Sequence, residues 1–424
     1  MNTIEKYQKY VNTSFVKSVE PIVVAKASGS KIYGEDGKEY TDLYAGISVV
    51  NAGHNNPEVA AAAKAQIDKL VHCCSYIYHS IPVADLAEKL AEVTPGRLQK
   101  TFFGNGGAEA NEGAMRMAKQ FTKKTEFIAL QGSFHGRSLA TLSITGNKDR
   151  KKGGGPYIPG VAFHPAAYCY RCPFAKEYPS CDLYCAKYVE KTIQYDTSGN
   201  VAAFIAETVM GEGGIIVPPT EYYKEVKKVL DKHEILLFLD EVQCGYGRTG
   251  KLFAVEHYDV EPDIMTFAKG IADGFPLSAF IARPEIADSF KPGDHLSTFG
   301  GNPVSCAAGV ANLDYMLREK IPEKALVKGE KVMGELKELQ KKYPLIGDVR
   351  GKGLMIGIEL VRDSAKTPAN EEAGKIRAAM RSKGFLIGVG GTYGNVLRWQ
   401  PPLVISSEEL SAAVSALADC LKAL

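Results

Sequence analysis

Four short, almost unbroken apolar runs, at 127–130, 202–206, 235–239 and 264–267, recur through the middle of the chain with helix-like stretches between them. Runs of this length predict strands buried on both faces, and the alternation predicts a βαβ sheet of mostly parallel strands flanked by helices. The series starts with a helix: Asn56 is its N-cap, Pro57 its first residue, and Val59, Ala63, Ile67 and Leu70 mark one face. Ahead of it, strand-like pieces at 22–24 and 31–33, with a turn at Glu35-Asp36-Gly37, form a small outlying layer. From about residue 310 the character changes to charged helices (328–342) and then to glycine-punctuated strands at 354–361 and 385–389. A final helix is capped by Ser406, with Glu409 in capping-box spacing, and carries Leu410, Val414, Leu417 and Leu421 as a core-facing stripe. The pattern therefore predicts an α/β protein in three parts: an N-terminal segment, 1–50, a large unit, 51–310, and a C-terminal segment, 311–424.

Composition narrows the function classes. The chain has 424 residues, 45% hydrophobic and 24% charged, as in ordinary globular proteins. A formal net charge of +2 provides no field that would favour nucleic acid or an anionic membrane. Residues 1–15 are polar and charged, and no apolar run approaches membrane-spanning length, so a cytoplasmic location is expected. Nine cysteines, an odd number, fit a reducing compartment better than a disulfide framework.

The candidate chemistry lies at the ends of the apolar runs. Lys269 follows the run at 264–267, and Asp240 ends the run at 235–239. An amine and a carboxylate at the C-terminal ends of two buried parallel strands face the crevice where such sheets bind ligands. The pair suits pyridoxal phosphate: a lysine holds the cofactor as a Schiff base, and an aspartate keeps the ring nitrogen protonated so that the ring accepts electrons. The bland alternative is strand capping. Gly104 to Glu112 (Gly-Asn-Gly-Gly-Ala-Glu-Ala-Asn-Glu) turns directly into a helix, a setting whose amides and dipole favour a phosphate. In Gly132-Ser133-Phe134-His135-Gly136-Arg137, Phe134 can stack on a pyridine ring and Arg137 can clamp an acid group, against core packing and a surface ion pair as the ordinary alternatives.

With these motifs in place the chain resembles the class III aminotransferases, of the fold type I pyridoxal phosphate superfamily, and within them the 4-aminobutyrate aminotransferase branch. The resemblance runs from Gly53-His54 through the segment holding Arg398, and it implies that 1–50 and 311–424 together form a smaller α+β domain beside the large one. It implies that Lys269 is the Schiff-base lysine, that Asp240 partners the pyridine nitrogen, that Gln243 bonds the phenolic oxygen, and that Val242 and Phe134 sandwich the ring. It further implies that Gly106, Gly107 and Ala108 bind phosphate through main-chain amides, and that Thr298 reaches the phosphate of a neighbouring subunit. The partner is then a second copy in an obligate homodimer, with a dimer of dimers as the larger alternative. Ala108 departs from the family, which has Ser or Thr there, and loses a hydroxyl contact.

For the substrate, the resemblance implies that Arg398 binds the α-carboxylate of an amino or oxo acid. Glu212 pairs with that arginine when the donor has no α-carboxylate, Arg137 takes the distal acid group, and Glu207 is a carboxylate near the cofactor. Ile47 stands where ornithine-using relatives carry Tyr. The expected donor is a short ω-amino acid (4-aminobutyrate, β-alanine or taurine) and the expected acceptor is 2-oxoglutarate. A racemase or epimerase of the same family is the rival reading. Cys169, Cys172, Cys181 and Cys185 have a spacing that could hold a structural zinc or could belong to an insertion with free thiols. The basic run 148–152 reads as a solvated loop.

Overall fold

The computed structural model describes residues 1–13 and 19–424. Ser14 and Phe15, the end of the polar N-terminal stretch, lie outside the described residues. The centre of the molecule is a seven-stranded sheet. Its spatial order is Lys100–Gly104, Ser278–Ala282, Ile264–Phe267, Leu236–Asp240, Val201–Glu207, Glu126–Leu130 and Val161–His164. Ser278–Ala282 runs antiparallel to both its neighbours, and the other pairings are parallel. All four apolar runs read from the sequence are strands of this sheet. Val201–Glu207, Leu236–Asp240 and Ile264–Phe267 are buried along their whole length, as strands covered by helices on both faces must be.

Two four-stranded sheets flank this centre. In one, Val24–Ser28, Lys31–Gly34 and Glu39–Asp42 are joined by Phe385–Leu386, which pairs in parallel with Glu39–Asp42, so chain from both ends shares the sheet. The other consists of Ile346–Lys352, Met355–Leu360, Val396–Trp399 and Gly388–Gly390. The segment 385–389 thus splits between two sheets. The final helix is Ser407–Lys422. Ser406 Oγ accepts from Glu409 N at 3.1 Å, while the Glu409 carboxylate accepts from Ser406 N at 2.9 Å.

The Asn56-capped helix is Pro57–Ile67, with the Asn56 side chain accepting from the amides of Glu58 and Val59. Its predicted apolar face is only half correct. Val59 and Ala63 are buried, but Ile67 is exposed and Leu70 lies beyond the helix, also exposed. With Val71, Ile77, Tyr78, Ile81 and Phe299 they leave large apolar side chains uncovered on this chain. Among the described residues no helix is long and apolar enough to cross a membrane.

Candidate active site

Five strand ends of the central sheet converge on a cavity of about 760 Å³. Asp240 closes its strand there, Glu207 closes the neighbouring one, and Lys269 enters from the strand Ile264–Phe267 through Ala268. Lys269 has φ +50°, a left-handed conformation that costs a non-glycine residue about 1–2 kcal/mol and is retained where surrounding structure over-determines it. Burial lowers the pKa of its amine, while the carboxylates of Asp240 and Glu207 act in the opposite direction.

Asp240 is held from three sides. Its Oδ2 accepts from His135 Nδ1 and from Asn111 Nδ2, both at 2.8 Å, and its Oδ1 accepts from the Val242 amide at 3.0 Å. Asn111 also donates to the His135 carbonyl at 2.8 Å and accepts from Thr266 Oγ1 at 2.7 Å. Because an ionised carboxylate only accepts, His135 carries its proton on Nδ1. Sequence reasoning missed both His135 and Asn111. The available signal was Asn111, a polar residue on the apolar face of an Ala- and Met-rich helix. Glu207 accepts from the amides of Phe134 at 2.9 Å and Gly211 at 2.8 Å. Burial pushes its pKa up to about 7, with His135 opposing and the Asp240 charge adding to the rise.

The helix Gly107–Thr122 starts at the cavity wall, and its N-cap, Gly106, offers no side chain to the first turn. A Cβ on Gly106 would stand in open space, and one on Gly107 would press on Val242 Cγ1 at 3.0 Å, so the glycine pair leaves the main-chain amides approachable. Phe134, Val242 and Gln243 line the same cavity. Gln243 Oε1 accepts from Gln400 Nε2 at 3.0 Å, and Gly211 packs so closely on Gln243 that a Cβ there would come within 1.9 Å of Oε1.

The residues read as substrate contacts divide between the cavity and its surroundings. Arg137 lines the cavity, is exposed, and has no ion-pair partner among the described residues. Arg398 is buried, donates to Glu212 Oε2 from Nη1 at 3.2 Å and to the Tyr44 hydroxyl from Nη2 at 2.6 Å, and lies 5.3 Å from the Tyr44 ring centroid. Lys269 is within electrostatic reach of both Arg398 and Glu212. Ile47 is not on the cavity wall. It rides on a left-handed turn in which Ala45, Gly46, Ile47 and Ser48 all have φ between 50° and 72°, a strained state for a β-branched residue, directly after Tyr44. Thr298 is exposed and away from this chain's cavity.

One sequence reading changes. The basic run 148–152 is not simply solvated: Arg150 bonds Glu212 through Nε at 3.1 Å and also through Nη2, and Lys151 lies over the rings of Tyr157 and Phe163. Tertiary pairing 62 residues away leaves no trace in local charge pattern. The four clustered cysteines line one small apolar cavity beside Phe174, and burial pushes the Cys185 thiol up to about 12. Among the described residues no group of three or more His, Cys, Asp or Glu is arranged to hold a metal ion.

The family described as aminotransferase class-III matches residues 14–421. The chain belongs to that family. A leucine/methionine racemase of Thermococcus litoralis is 39% identical over 416 residues, covering 98% of this chain and 94% of the relative. An acetylornithine aminotransferase of Methanothermobacter thermautotrophicus is 39% identical, covering 99% and 98%. A 5-aminovalerate aminotransferase of Pseudomonas putida is 37% identical, covering 96% and 94%. The crystal structure of a Bacillus anthracis aminotransferase superposes with a TM-score of 0.94 at 36% identity, covering all of both chains. The fold is that of the fold type I transaminases, and this class III aminotransferase is pyridoxal-phosphate-dependent. The donor set fits the cofactor: a buried amine of lowered pKa, a carboxylate fixed by His135 and Asn111, and an open glycine turn at a helix start.

Ala108 stands on the first turn of that helix, with Gly136 packed closely against it. Ala108→Ser is expected to tighten cofactor binding by about fivefold, from one added hydrogen bond of about 1 kcal/mol. Fluorescence titration of the apoenzyme checks this. An unchanged affinity would place the phosphate elsewhere.

Proposed function

We propose that the enzyme moves the amino group of a short ω-amino acid, of the 4-aminobutyrate, β-alanine or taurine type, to 2-oxoglutarate in a ping-pong cycle. The observation that carries this reading is the contact between Glu212 and Arg398. A carboxylate on that guanidinium neutralises it for a donor lacking an α-carboxylate; released, the arginine grips a 2-oxo acid. Arg137, exposed on the cavity wall, suits the donor's distal acid group, and a guanidinium fork accepts carboxylate or sulfonate alike.

In this reading Asp240 holds the pyridine nitrogen, Phe134 and Val242 the two faces of the ring, Gln243 the phenolic oxygen, and the amides of Gly106 to Ala108 the phosphate. Glu207 fixes the Phe134 backbone beneath. Pyridoxal phosphate, when bound, supplies the sink for the electrons left as the donor carbon loses its proton. Lys269 Nζ takes that proton and returns it as a general base and acid, a role its lowered pKa favours. The second substrate, a dicarboxylate, spans Arg137 and Arg398. The uncovered apolar side chains around Ile67 to Ile81 and Phe299, with Thr298 beside them, support a homodimer in which Thr298 completes the neighbour's phosphate site. Nine free cysteines support a reducing, cytoplasmic location.

A donor panel against 2-oxoglutarate and pyruvate, scored by glutamate and alanine formed, tests the proposal. Arg137→Ala is expected to lower kcat/KM for acid-bearing donors by about 10–100-fold, the loss of one charge-assisted pair. Unchanged rates would remove Arg137 from the site. A second reading, amino-acid racemisation, is favoured by the likeness to the Thermococcus litoralis racemase. Incubation with one enantiomer of leucine and no oxo acid separates the two, since loss of optical activity without amine transfer would establish the racemase.

A further inference from the structure

Glu212 is shared between two arginines. Its Oε2 faces Arg398, and its Oε1 takes Nε and Nη2 of Arg150. The side chains are 13% exposed for Glu212, 29% for Arg150 and 4% for Arg398, so this is no surface pair screened by solvent. Burial alone would raise the pKa of the Glu212 carboxyl, but Arg398 and Arg150 together hold it below the ordinary carboxylate range.

Arg150 is itself firmly placed. The turn Lys148–Arg150 is capped by Asn147, whose side chain accepts from Asp149 N at 3.0 Å. The Asn147 amide donates to the Ser133 carbonyl at 3.0 Å, and the Gly146 amide donates to Ser133 Oγ at 3.1 Å. These bonds fasten the turn to the loop that carries Phe134 and Arg137. On the other side, the Glu212 carbonyl accepts from Gly391 N at 3.1 Å.

We propose that Arg150 is a positioning residue for Glu212: it keeps the carboxylate partnered when Arg398 turns to a substrate α-carboxylate, and so sets how readily the site accepts 2-oxo acids and α-amino acids. The inference rests on the reading of Arg398 given above. A buried carboxylate stripped of its only cation is costly, and that cost would oppose release of Arg398. With Arg150 on the far oxygen, release exchanges two partners for one and leaves no unpaired charge. The bridge also divides one negative charge between two guanidiniums, so Arg398 retains attraction for an incoming carboxylate even while Glu212 touches it. An enzyme built this way accepts α-carboxylates more readily than one whose glutamate serves a single arginine.

The test is glutarate, a dicarboxylate with no carbonyl to react, titrated into the holoenzyme by calorimetry, together with steady-state kinetics. Arg150→Ala is expected to weaken glutarate and raise KM for 2-oxoglutarate by about tenfold, within the usual range of coupling between sites, with a smaller change in kcat. Arg150→Lys is expected to restore part of the affinity. In a Glu212→Gln background, Arg150→Ala is expected to have no further effect, because the group it positions is gone. An effect that persists in that background, or equal losses in both half-reactions with no rescue by lysine, would overturn the proposal. Arg398→Ala separates the two levels: if it leaves glutarate binding intact, the carboxylate reading of Arg398 fails. If it abolishes binding while Arg150→Ala does nothing, only the positioning role fails.

Discussion

Lys269→Ala is expected to lower turnover about 10⁴-fold with every donor, the upper range for removing a general acid–base group. Lys269 is the lysine on the cavity wall among the described residues. Its strained backbone points the residue at the strand-end crevice, and its amine has a depressed pKa from burial despite the pull of Asp240 and Glu207. No neighbour can substitute for it. His135 is committed through Nδ1 to Asp240, and Glu207 is occupied by two backbone amides. Small primary amines added to the variant are expected to restore part of the rate, increasingly so with amine basicity. A loss of less than about tenfold would show that another group moves the proton.

Arg248→Ala is expected to destabilise the protein by about 3–5 kcal/mol, from the cavity it leaves and the buried acceptors it strands. Arg248 is completely buried, and burial pushes its pKa down to about 9. It has no carboxylate partner within ion-pair distance among the described residues. Instead Nη1 donates to the carbonyls of Leu354 at 3.1 Å and Pro401 at 2.5 Å, and Nη2 donates to Asn51 Oδ1 at 2.5 Å. One side chain therefore joins the start of the central region to two separate parts of the C-terminal segment. Truncation strands three acceptors and leaves a cavity, and each of these costs free energy. Urea midpoints of the two holoenzymes check the value. A difference under about 1 kcal/mol would mean that water reaches those carbonyls.

What could be read from the sequence was what local pattern encodes. Fully buried strands such as Val201–Glu207 and Leu236–Asp240 are apolar up to the carboxylate that closes each, so the middle of the sheet and the residues at its strand ends were visible, Lys269 and Asp240 among them. Lys100–Gly104 and Val161–His164, at the two edges, and the antiparallel Ser278–Ala282 were not. Lys100 and Thr101 interrupt the first, the second is half-buried at alternate positions and ends in His164, and the third, Ser-Ala-Phe-Ile-Ala, mixes small and polar residues with only two large apolar ones. Ser406 and Asn56 announced their helices because a cap is a local signal. Ile67 and Leu70 read as a buried face because apolar spacing does not say which surface covers it. Glu212 and Arg398 were named through family resemblance, but Arg150, His135, Asn111 and Tyr44 were not. Their partners are set by tertiary folding over tens to hundreds of residues, and neither periodicity nor composition encodes such a pairing.

The central claim is that the side chain of Lys269 carries the cofactor. Borohydride reduction of the yellow holoenzyme followed by peptide mapping tests it most directly. The account predicts a single pyridoxyl-lysine at position 269, in the peptide that follows the strand Ile264–Phe267. A label on any other lysine, or none after reduction, would contradict it.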